Sequence, residues 1–207
     1  MRPDDGLLGE LLWIADDSAG SLDECRERLA AAPGVASEIV RVGNSELCGL
    51  PGRITRLDRA VHVLGPRTVA EIATWLWVED ATRGGSERWE HALQVGVCGQ
   101  LLARKLELEC DLEAGLAGLL HVVAPHMLER WHVRGTLRDA VDHHDDPLAA
   151  PAASRSAAAL VHGAHLLLQP DAPGDDFLAG LGVLTEDRAS VLQAGEARCK
   201  QIRSVLG

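Results

Sequence analysis

Residues 114–124 read AGLAGLLHVVA. The stretch carries no charge, and its polar side chain is His121 alone. Leu112, Leu116, Leu119, Leu120 and Val123 recur at three- and four-residue spacing, the period of a helix. Gly115, Ala117 and Gly118 lie among them and let neighbouring backbones come close. A helix apolar on nearly every face belongs inside a protein. Asp111 is placed to cap it, Glu113 to favour its first turn and Pro125 to stop it. The spacing predicts a central helix whose last turn carries His121 into the middle of the fold.

The flanking sequence is helical as well. Glu87 to Leu106 gathers Glu87, Glu90, Gln94, Gln100, Arg104 and Lys105 into one arc of a helical wheel. Trp89, Ala92, Val95, Gly96, Gly99, Leu102 and Ala103 fill the other, with His91 on the border. Gly96-Val97-Cys98-Gly99 reads as close packing, not as a phosphate loop. Upstream, short helices are expected at 7–15, 22–32, 35–42, 56–64 and 67–78. Ser21 and Glu24 form a capping box, Pro33-Gly34 and Gly65-Pro66 break the chain, and Thr55 is placed as a cap. Loops are expected at 16–20, 47–53 and 80–86, the last dividing two lobes. Downstream, helices are expected at 127–133, 137–143, 154–168 and 185–205, with loops at 149–153 and 170–176. Thr136 with Asp139, Ser154 and Thr185 are the starts. The β-branched residues fall at helical spacing, and no strand is expected.

The totals set bounds. The chain has 207 residues, of which 46% are hydrophobic, enough to bury a sizeable core. Its net charge of −11 repels a duplex or an anionic membrane, and no basic stripe overrides it. Cys25, Cys48, Cys98, Cys110 and Cys199 are odd in number and lack CxxC spacing, as reduced thiols do in a cytosol. The opening MRPDDGLLGELLW has no long apolar run, so no signal peptide is expected. No uncharged stretch approaches the roughly 18 residues of a membrane span. A soluble cytoplasmic protein is the expectation. GxSxG, P-loop, HExxH and GxGxxG patterns are absent.

Several landmarks follow one another: PGVASEIVRVGNS at 33–45, RAVHVLG at 59–65, Trp89-Glu90-His91, GLLH at 118–121, Trp131, and Asp142-His143-His144 ahead of Pro147. Their order resembles the bacterial HDOD family, relatives of the HD-domain phosphohydrolases. The resemblance runs from about Leu7 to Leu168. It implies an all-α fold, an HD-like helical bundle with an N-terminal helical lobe. Residues 1–207 are then one HDOD-like domain. Its parts are an N-terminal lobe at 7–79, an HD-like lobe at 86–168 and C-terminal helices at 175–206.

HD-type enzymes hold metal ions with histidines and carboxylates, and the metal acidifies water or clamps phosphate. The resemblance places His91 and His121 at the first two histidine positions, with His143 and His144 at a later pair. The aspartate expected after the second histidine is Val122 here, and the late aspartate is His165. The segment 122–130 is shorter than in the family, where it carries further helices and another histidine; His126 and His132 remain in that region. A set of imidazoles without carboxylate still suits a zinc- or nickel-like ion, but it lacks a base and pulls less on hard cations.

Simpler readings stand beside these. His121 reads as a core histidine with one hydrogen bond. His91 reads as partly exposed, and His143-His144 as a solvated helix end, pointing about 100° apart. His162 and His165 share a face at i, i+3. Asp145-Asp146 read as a solvated turn and Cys98 as packing. Trp75 and Trp77 lie on different faces, so one is expected at a partner surface or in a contact between lobes.

The expectation is therefore a non-enzymatic regulatory module of bacterial signal transduction that binds a signalling protein, and no nucleic acid or membrane. No catalytic, cofactor-binding or metal residue is assigned, and no cofactor is expected. The alternative is a metal-dependent phosphohydrolase with a rearranged site of His91, His121, His143 and His165.

Overall fold

Helices carry the chain from end to end of what the computed structural model describes, residues 6–16, 21–48, 54–83, 86–169 and 175–206. In order they are α1 (Leu7–Asp16), α2 (Leu22–Ala30), α3 (Pro33–Gly43), α4 (Leu57–Thr82), α5 (Glu87–Lys105), α6 (Asp111–Leu120), α7 (Pro125–Arg130), α8 (Gly135–Asp142), α9 (Arg155–Leu168), α10 (Asp175–Gly180) and α11 (Thr185–Leu206). Short 3-10 turns occupy Glu46–Cys48 and Pro147–Ala149. No strand occurs among the described residues, so the fold is all-α as expected. No described helix is long and apolar enough to cross a membrane.

The chain divides into two compact units. The first comprises residues 1–81, 124–133 and 201–207. Its N-terminal helices pack in sequence, α1 on α2 and α2 on α3. Ser21 caps α2 as expected: its hydroxyl accepts from the Asp23 and Glu24 amides. Asn44 ties the end of α3 to the chain entering α4, accepting from the Ile54 amide and donating to the Ile54 carbonyl. α4 is kinked where Gly65-Pro66 was expected to break it. Gly65 takes φ 74°, a region glycine enters without steric cost, and Pro66 starts the second arm. Trp75 and Trp77 on that arm are both buried. Neither is therefore at a partner surface; the tryptophan that is exposed is Trp13 of α1, at 65%. The 124–133 segment also belongs here: the Trp131-His132 backbone lies against α1 at Gly9, where a Cβ would come within 2.5 Å of the Trp131 oxygen.

The second unit comprises residues 82–123 and 134–200. α5 packs on α6 and α9, and α6 also packs on α8 and α9. Every residue of α6 from Ala114 to Leu120 is buried. Its leucines at 112, 116, 119 and 120 each contribute about 2 kcal/mol by leaving water. The glycines allow the contact that sets this unit. A Cβ on Gly118 would meet Gly96 Cα at 2.7 Å, and one on Gly99 would meet the Ala114 carbonyl at 3.2 Å. The pairing of 96 with 118 and 99 with 114 makes α5 and α6 antiparallel with backbones touching. Cys98 is buried against this unit's helices, as expected of a packing residue.

Several local expectations are corrected. α6 ends at Leu120, not at Ala124, because Pro125 opens α7 instead of closing α6. Asp111 is the first residue of α6, and the cap position is Cys110 without a side-chain bond. Asp111 pairs instead with Arg104, 3.0 Å away. Thr136 donates its hydroxyl to Glu113 and does not cap α8. Ser154 stands before α9, but its hydroxyl donates to the Pro151 carbonyl. α4 runs on through Thr82, into the span read as a loop at 80–86. Parts of the loops expected at 16–20, 47–53, 80–86 and 170–176 lie outside the described residues.

Candidate functional site

Four histidines, two from helices and two from turns that follow helices, meet in the second unit. His91 lies in the second turn of α5, and His165 near the end of α9. His121 is the residue just past α6, in αR geometry, with its amide bonded to the Ala117 carbonyl. His144 lies in the turn after α8. The close approach of α5 and α6 brings the His91 and His121 rings to 5.1 Å between centroids. His165 stands 4.9 Å from His91 and 4.7 Å from His121. His144 completes the group, 5.1 Å from His121 and 5.5 Å from His165. All four are half-buried.

Backbone carbonyls orient two of these rings. His121 Nδ1 lies 2.6 Å from the Gly118 carbonyl, and His144 Nδ1 lies 2.7 Å from that of Val141. A carbonyl only accepts, so each Nδ1 carries a proton, and at His121 this leaves Nε2 with its lone pair. His165 Nε2 is buried and has no hydrogen-bond partner among the described residues. One nitrogen from each of His91, His121 and His165 lies within 4.8 Å of the other two. Arg88 pins the turn beyond His121 by donating to the Val122 carbonyl.

The site favours neutral imidazole. Burial, reinforced by neighbouring histidines, holds His121 down to about 3, against the pull of the Gly118 carbonyl. Burial and the facing His91 and His144 hold His165 down to about 4, with Asp145 opposing. Burial, then His144, lowers His91. Asp145 reaches only the edge: its Oδ1 is 3.4 Å from His144 Nε2, and its side chain is 90% exposed.

Sequence reasoning singled out five histidines, and the structure brings four together. His143 stays out: its Nδ1 lies 2.8 Å from the Asp139 carbonyl, and its ring contacts no other among the described residues. His144 takes the place given to His143 in the rearranged set. The i, i+3 pair at 162 and 165 does not chelate. His162 turns its Nδ1 to the His144 carbonyl at 3.1 Å and its ring to Phe177 at 4.7 Å. His126 and His132 belong to the first unit. No carboxylate joins the ligand group among the described residues. The donor set therefore does not fit the hard, phosphate-activating ions of HD-type enzymes, which call for oxygen ligands.

The HDOD domain family matches residues 6–128, a stretch that includes His91 and His121 and stops before His144 and His165. A search of curated proteins returns no match. Among solved structures, a candidate signal transduction protein from Marinobacter aquaeolei VT8 is similar with a TM-score of 0.73 and 17% identity. The likeness covers 99% of this chain but 58% of that one, so this chain spans little more than half its length. A candidate phosphohydrolase from Shewanella amazonensis SB2B is similar with a TM-score of 0.63 and 17% identity, covering 97% of this chain and 93% of that one.

Proposed function

The chain belongs to the HDOD domain family, and from that premise we propose that it is a non-enzymatic regulatory module acting in bacterial signal transduction. It works by binding a signalling protein, in the cytoplasm, through its folded surface and not through turnover. The observation that carries this reading is the acid-free site. The converging donors are imidazoles, Val122 follows His121, and the resemblance to HD-type enzymes puts His165 at the position of their late aspartate. Among the described residues no carboxylate joins these donors to act as base or to hold a hard cation over a phosphate, the exposed Asp145 reaching only His144 at the edge. The signalling role described for the Marinobacter protein accords with this setting. The test is titration of the chain against candidate signalling proteins, with phosphodiester turnover measured in parallel. Saturable one-to-one binding without turnover supports the reading; turnover with manganese, iron or zinc overturns it.

A second reading, a metal-dependent phosphohydrolase with a rearranged histidine site, draws on one specific observation. His91, His121 and His165 do converge, with His144 rather than His143 beside them. The same turnover assay separates the two.

A further inference from the structure

We propose that His91, His121 and His165 bind one borderline divalent transition ion, zinc being the reference case, and that this site discriminates against magnesium, calcium and manganese. The inference deepens the proposed function, because it assigns a ligand to the site that the loss of carboxylates has stripped of phosphate chemistry. It stands on three independent features.

The first is reach. Three atoms no more than 4.8 Å apart have a common point within about 2.8 Å of each (4.8 Å divided by √3). Zinc–imidazole bonds are about 2.0–2.1 Å long, so side-chain torsions must draw each nitrogen inward by well under 1 Å. The second is preparation. The Gly118 carbonyl fixes the His121 tautomer and leaves Nε2 as the ligating nitrogen. A backbone oxygen behind an imidazole is the usual outer support of a metal ligand. The third is an unmet need. His165 Nε2 is buried without a partner, and a buried polar atom in that state calls for an occupant.

The donor chemistry selects the ion. Imidazole suits zinc, cobalt, nickel and copper, whereas magnesium, calcium and manganese prefer oxygen. Three protein ligands leave a fourth position, and the His144 ring stands 5.1 Å from that of His121, on hand to fill or border it. The cysteines offer no rival cluster among the described residues.

The experiment uses the full chain purified without a histidine tag and stripped with chelator. Zinc is titrated calorimetrically, cobalt by visible absorption, with magnesium in a separate arm. We expect one zinc per chain, at least tenfold weaker in H165A, and unchanged in H126A, which alters a histidine of the other unit. Bound cobalt is expected to show no thiolate-to-metal band. H165Q, which keeps a polar side chain, and circular dichroism of each variant guard against misfolding. Absence of stoichiometric zinc, an affinity in H165A and H165Q equal to that of the natural chain, or a thiolate band each overturns the site. Failure here leaves the regulatory reading standing. Phosphodiester turnover by the zinc-loaded chain would sink that reading while leaving the site intact.

Discussion

A Cβ placed on Gly118 would lie 2.7 Å from the Cα of Gly96. The α5 and α6 backbones touch at that point, and the contact places His91, five residues before Gly96, beside His121, three residues after Gly118. The histidine cluster thus depends on two side chains that are missing. Gly118→Ala is expected to cost about 3 kcal/mol, because the clash is with backbone and cannot be relieved by a rotamer change. Gly180→Ala, where a Cβ meets nothing within 4 Å, is expected to change stability by less than about 1 kcal/mol. Denaturant unfolding of both variants checks the pair, and equal effects would contradict the packing described.

Stability of the metal-free chain is expected to depend on acid in a defined window. Folded His121 and His165 are held to about 3 and about 4, whereas an unfolded histidine titrates near 6.5. As pH falls below about 6.5 the unfolded chain takes up protons that the folded cluster refuses, so stability falls with pH. Above about 6.5 these groups contribute no slope. His91 faces the same space and is lowered as well, by burial and then by His144. Between pH 6.5 and 5, before most carboxylates protonate, the thermal midpoint is expected to drop by about 5 °C, a figure reduced for the cluster's partial exposure. H165Q should flatten the slope; an unchanged slope would place the titration elsewhere.

The thiols should be quiet. Cys25, Cys98 and Cys199 are buried, and burial pushes the Cys25 and Cys98 thiols up to about 11 and about 12. Thiolate is the reactive form, so these react only when the fold opens. A thiol reagent at neutral pH is expected to modify at most Cys48 and Cys110 quickly, and all five in denaturant. Three or more fast thiols would contradict the burial.

Restoring one acid should shift the site's preference. His165→Asp puts an oxygen ligand among imidazoles, and oxygen favours harder ions. The ratio of manganese to zinc affinity is expected to rise at least tenfold over that of the natural chain, read by competition titration. A constant ratio would show that residue 165 is not a ligand.

Much of this fold was legible because helical period is a local property. The apolar spacing from Leu112 to Leu120, the Ser21 cap and the Gly65-Pro66 break all read directly from neighbouring residues. Helix ends were harder, since a proline stops one helix and starts another with equal ease. Pro125 does the second, which moves His121 from a last turn to the residue just beyond it. Caps failed where a more distant partner won: Thr136 turns to Glu113, and Asp111 to Arg104. The cluster spans residues 91 to 165, and periodicity does not reach across such a distance. Motif order placed His91, His121 and His165 as candidates, but the choice between His143 and His144 rests on how α8 ends. There the Asp139 carbonyl takes His143 and leaves His144 to turn toward His121.

The central claim is that a helical scaffold of the HDOD family here holds imidazoles where phosphate chemistry needs carboxylates. The most direct measurement is phosphodiester and phosphomonoester turnover by the full chain, loaded in turn with manganese, iron and zinc. The expected result is no turnover above that of H121A with any of the three. Metal-dependent turnover lost in H121A and H165A would contradict the claim outright.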